Sequence, residues 1–175
     1  MPWARGRTLC EEEKSGDMAA AREKALDLLT GRDFAAEELY ERLTRRFDEH
    51  AAAAAVAAVQ QLGLLDDARY ARQKVRSLQL QHKSRRAIAE ALRTKGIDKA
   101  LIGQVLEEAY APPADADGET ADPELAAARA LVERQYARKL AAGRDDLVLA
   151  ALLRRGFAYR TARQAIAAAA KEETN

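Results

Sequence analysis

One short pattern recurs along this chain and limits what it can fold into. Ile88, Leu92, Lys95, Gly96 and Ile97 return at the same spacing as Val148, Leu152, Arg155, Gly156 and Phe157, while Leu39, Leu43, Arg46 and Phe47 hold the corresponding places earlier. Apolar residues four apart share one helix face, and a glycine just past the last of them is a helix stop. Each occurrence therefore reads as helix, helix, basic pair or triplet, turn, helix. A unit this small buries little surface alone, so neighbouring units must pack side by side in a modular array.

Composition agrees. About a quarter of the 175 residues are Ala, aromatics are 5%, and there are 9 Gly, 4 Pro and few β-branched residues. Ala favours helix and fills cores poorly, which predicts small helices packed closely rather than a sheet. The expected fold is all-α, built from three tandem three-helix repeats packed side by side as a modular array. The expected boundaries are a flexible tail over 1–18, repeats over 19–65, 66–110 and 124–170, an acidic Pro/Asp/Gly linker over 111–123, and a short tail over 171–175. Asp66, Ser84 and Asp98 read as helix N-caps, as does Asp145 or Asp146.

Several function classes fall away. A lone Cys10 forms no internal disulfide, and the two histidines, His50 and His82, cannot supply a histidine-rich metal site. No phosphate-binding glycine loop occurs, and adjacent Asp66 and Asp67 suit helix capping better than a shared catalytic site. The expectation is no enzyme, no cofactor and no metal. The longest apolar run, from Ala51 through Val59, falls far short of the roughly 20 residues of a membrane span. The N-terminal segment lacks a signal-peptide core, so the expected setting is the cytoplasm, without membrane attachment.

The formal net charge of +1 conceals an asymmetry. Residues 69–99 carry ten Lys or Arg and two acids, residues 124–163 carry nine and four, and residues 19–67 carry six and ten. Cations with so few carboxylates interleaved repel one another, which points to a polyanionic partner. Few aromatics accompany them, so base stacking is not signalled, and sequence-independent contact with phosphates or an acidic groove fits better.

Ala25 to Leu29, Glu38, Leu39 and Leu43, the run Leu62-Gly-Leu-Leu-Asp-Asp-Ala-Arg-Tyr-Ala71, and the run from Ser84 to Asp98 resemble the RecX family of recombination regulators. The resemblance covers residues 22–109 most strongly and continues in organisation to about 168. It implies an elongated, curved arrangement of the three-helix repeats and binding to the RecA recombinase filament on single-stranded DNA. It also implies inhibition of ATP hydrolysis, strand exchange and co-protease activity, with effects on DNA repair and the SOS response. Contact with single- or double-stranded DNA stays open. Arg76, Lys83, Arg85, Arg86, Arg93 and Lys95 are the expected central contact set, and Arg138, Lys139, Arg154 and Arg155 the second. Ala35 stands where the family often has a capping Ser, which shifts the expected start of the second helix toward Asp33. No large apolar face suggests an obligate dimer, so a monomer is expected. The alternative is a helix-turn-helix DNA-binding protein around Gly96. Glu107 and Glu108 at the end of the following helix suit a groove of phosphates poorly.

Overall fold

The computed structural model describes residues 13–111 and 122–172. Cys10, nearly all of the expected linker and residues 173–175 lie outside the described residues. Among those described there are nine α-helices and no strand: α1 (Met18–Gly31), α2 (Ala36–Leu43), α3 (Glu49–Gln61), α4 (Asp67–Leu80), α5 (Arg85–Arg93), α6 (Lys99–Tyr110), α7 (Pro123–Ala141), α8 (Asp145–Arg154) and α9 (Tyr159–Glu172). The fold is all-α, as the apolar spacing requires.

The chain divides into two compact units. The first holds Met1–Ala71 and Thr94–Asp98, and the second Arg72–Arg93 and Lys99–Asn175. In the first, α1–α3 enclose a core of small residues, Ala21, Ala25, Ala51, Ala52 and Ala55, with Leu39, Leu43, Phe47 and Val59 as its larger members. Alanine lets helix backbones approach closely, and a few leucines close the remaining space. In the second, Val75, Ile88, Leu92, Ile102, Val105 and Leu106 are buried along α4–α6. A separate cluster over α7–α9 includes Leu131, Val132, Val148, Leu152, Phe157 and Ile166.

Helix starts are set by acids and a serine. Asp17 accepts N–H bonds from Ala19 and Ala20 at 2.9 and 3.0 Å, Asp48 from Ala51 at 2.7 Å, and Asp66 from Ala68 and Arg69 at 2.9 Å. Ser84 accepts the Ala87 N–H at 3.2 Å. The second helix corrects the expectation for Asp33. Its N-cap is Ala35, which has no capping side chain, and Asp67 supplies the cap from α4 by accepting the Ala36 N–H at 2.8 Å. The start of α8 likewise lacks a side-chain cap, with Arg144 at the cap position. The expected tail also ends sooner than residue 18. The Ser15 N–H donates to the Arg46 carbonyl at 3.1 Å and its carbonyl accepts from Asp48 at 3.0 Å, tying Ser15 beside the α2–α3 turn.

Four glycines take positive φ: Gly63, Gly96, Gly143 and Gly156. Two of them also meet a neighbour. At Gly96 (φ +74°) an added Cβ would lie 2.2 Å from the Glu37 Cβ, whereas at Gly63 (φ +68°) it would meet nothing. Gly96→Ala should therefore cost about 2–4 kcal/mol, combining left-handed strain with overpacking. Gly63→Ala should cost only about 1 kcal/mol of strain. Urea unfolding of the two variants checks this, and equal costs would contradict the close approach.

Candidate functional site

The cations singled out by sequence are placed on α4, α5, α7, α8 and the turns that follow them. Amphipathic helices bury their apolar stripe, so the Lys and Arg between apolar positions are turned outward. What separates them is whether a carboxylate of the same unit reaches them.

In the first unit, Lys95 is held. Its Nζ donates to Glu38 Oε1 at 2.6 Å, and Arg32 donates through two nitrogens to the same carboxylate, at 3.0 and 3.2 Å. The Arg32 guanidinium also lies 3.6 Å from the centroid of the Phe34 ring. A cavity of about 200 Å³ beside this cluster is lined by both signs of charge, including Glu37, Glu41, Arg42 and Arg45. Burial alone would push the Glu38 carboxyl up, but the hydrogen bonds from Arg32 and Lys95 outweigh it and hold the group below the usual carboxylate range. Burial, with the Glu38 charge beside it, pushes the Tyr70 phenol up.

In the second unit, Arg85 pairs with Glu107 at 2.7 Å and lies 5.4 Å from the Tyr110 ring centroid. Arg93 grips Glu90 through two bonds at 2.7 and 3.1 Å, and Arg72 reaches Glu108 at 3.1 Å. Arg155 donates to Gln135 at 2.8 Å, and Lys139 and Arg155 stand over the Tyr136 ring at 5.5 and 5.8 Å. Arg76, Lys83, Arg86, Arg138 and Arg154 are exposed and have no ion pair among the described residues. Arg76 borders a small cavity with Arg72 and Glu108. Arg85 and Arg86 border a groove of about 470 Å³ with Glu124, Gly156 and Phe157. Burial pushes the Glu124 carboxyl up, opposed by the neighbouring Arg85 backbone N–H. His82, at φ 54°, has its Nε2 3.2 Å from Arg134 Nη1.

The expected contact set thus falls into two classes. Sequence spacing missed the division because the neutralising acids lie far along the chain: Glu38 is 57 residues from Lys95, and Glu107 is 22 from Arg85. The shortage of carboxylates within 69–99 is made up by acids from α2 and α6. Among the described residues no group of three or more His, Cys, Asp or Glu is placed to hold a metal ion, and no helix is long and apolar enough to cross a membrane.

The family model described as RecX, second three-helix domain, matches residues 66–106. The Regulatory protein RecX of Halorhodospira halophila is 34% identical over 157 residues, covering 88% of this chain and 91% of that protein. The chain belongs to the RecX family. The Regulatory protein RecX of Mycobacterium avium is 40% identical over 88 residues, which is 49% of this chain and 51% of the relative. Among solved structures, RecX from Lactobacillus salivarius matches with a TM-score of 0.71 at 20% identity, covering 87% of this chain and 96% of its own. A second RecX crystal structure matches at 0.68 and 21%, over 82% and 68%. These two likenesses establish the RecX fold. The 66–106 match spans α4, α5 and most of α6, the helices that carry the central basic residues.

Glu38 yields a pH prediction with a definite sign. Its folded-state pKa lies below its ordinary value of 4.5, so its stabilising contribution is complete at neutral pH. That contribution is lost as the pH falls below 4.5 through the lower folded-state value. Glu38→Gln should lower the melting temperature at neutral pH, and the gap to the parent should narrow as the pH falls below 4.5 and the carboxylate is protonated. Thermal melts followed by circular dichroism check it. A gap independent of pH would mean the Glu38 charge contributes nothing.

Proposed function

We propose that this RecX-family chain is a non-enzymatic regulator that binds the RecA recombinase filament on single-stranded DNA and inhibits its ATP hydrolysis, strand exchange and co-protease activities. The observation that carries this reading is the 34% identity, over nearly the whole of both chains, to a protein named Regulatory protein RecX. The exposed cations with no ion pair among the described residues support it, because a nucleoprotein filament is a polyanion and offers phosphates and acidic side chains. In this reading Arg76, Lys83, Arg86, Arg138 and Arg154 make the first contacts. Arg85, Arg93, Lys95, Lys139 and Arg155 contribute less, being committed to Glu107, Glu90, Glu38, Tyr136 and Gln135. The protein acts as a monomer in the cytoplasm, with any contact to DNA secondary to contact with the filament.

The test is the rate of ATP hydrolysis by RecA on single-stranded DNA, with this protein titrated from well below one per recombinase protomer. Inhibition at low ratios is the expected result and would place its action on filament growth. No inhibition at any ratio, with the protein folded, would overturn the proposal.

A further inference from the structure

Two turns in this molecule dock in the same way, each on the N-terminus of a helix. The turn before α6 places Gly96 against Glu37, in the first turn of α2. The turn before α9 places Gly156 (φ +89°) against Ser84, the cap of α5, where an added Cβ would lie 2.7 Å from the Ser84 Oγ and 3.6 Å from the Arg86 Cβ. In both cases only a glycine allows the approach. The residue before each glycine is basic, yet the two are used differently. Lys95 holds its helix by its side chain, through Glu38. Arg155 holds its helix by its backbone: its carbonyl accepts the Ser84 hydroxyl at 2.8 Å, and its side chain turns away to Gln135. The first joint is therefore held by charge and the second by a neutral hydrogen bond.

The exposures of the pair determine how the first joint responds. The Glu38 side chain is 15% exposed and that of Lys95 is 36% exposed. The carboxylate is too enclosed to be screened well by simple salt, whereas the ammonium is open to a competing anion. We propose that the first joint is a charge-operated clip. Breaking the Glu38–Lys95 pair, by neutralising either residue or by an anionic group of a polyanion capturing Lys95, frees Thr94–Asp98 from α2, while the Ser84 joint stays closed. The inference concerns the molecule by itself and holds whichever partner supplies the anion.

Amide hydrogen exchange followed by mass spectrometry tests it on the full chain. Glu38→Gln and Lys95→Met should each speed exchange in 94–98 by about tenfold or more, while exchange in 155–157 is unchanged, because a hydrogen bond to a charged group is lost at one joint only. Ser84→Ala should give the reverse pattern. Lys95→Arg, which keeps the charge, should keep the protection and controls for a general packing defect at that position. Two outcomes would overturn the clip. One is unchanged exchange in 94–98 in both neutralised variants. The other is an increase spread equally over 155–157, which would report overall loosening.

Discussion

The structure depends on the close approach of a glycine turn to the N-terminus of a helix from earlier in the chain. Small alanine-rich helices cannot build a deep core, so within each unit such close approaches must supply order that burial alone does not. At Gly96 and Gly156 the backbone takes a left-handed conformation and comes so near its neighbour that no Cβ fits. The same arrangement satisfies orphan backbone groups. Asp67 bonds the first N–H of α2, and Ser84 bonds one N–H of α5 and the carbonyl of Arg155. Steric fit, helix capping and chain direction thus coincide at two points.

The same joints sort the surface charge. A chain with 29 basic and 28 acidic residues could neutralise itself entirely. It does so selectively, with Lys95, Arg85, Arg72 and Arg93 meeting Glu38, Glu107, Glu108 and Glu90. Most of these pairs are exposed, and exposed pairs add little stability. Their consequence is for recognition. A cation already bonded to a carboxylate must lose that bond before it meets a phosphate, whereas Arg76 and Lys83 have no ion pair among the described residues and Arg86 has only the charge of Glu90 nearby. The effective basic surface of α4 and α5 is therefore narrower than the run of Lys and Arg in the sequence.

Much of the helical framework was legible beforehand. Leu39, Leu43, Ile88, Leu92, Val148 and Leu152, picked out by the recurring pattern, are all at most 1% exposed. Helix periodicity records burial directly, and Gly96 and Gly156, the glycines that close the recurring pattern, take positive φ. The capping of α2 was not legible. Ala35 offers no cap, and the nearby Asp33 is the natural substitute, but the group that does the work is Asp67, 31 residues beyond the Ala36 N–H it accepts from. The division of the cations was hidden for the same reason: a local count of charges in 69–99 cannot see Glu38 or Glu107. Ser15 was read as tail because its two hydrogen bonds to the α2–α3 turn leave no trace in side-chain pattern. Local chemistry is written along the sequence, and pairing across the fold is not.

In the proposed function the cations without an ion pair, rather than the sum of positive charge, meet the filament. Two triple variants of equal net charge separate these ideas: R76Q/K83Q/R86Q, which removes cations without an ion pair from α4, α5 and the turn between them, and R72Q/R85Q/R93Q, which removes paired ones from α4 and α5. Their affinity for the RecA filament on single-stranded DNA would be measured at about 0.15 M salt, where charges beyond about 8 Å are screened. The first variant should lose about tenfold or more and the second less than about threefold. Equal losses would mean that only net charge is read, and would contradict that reading.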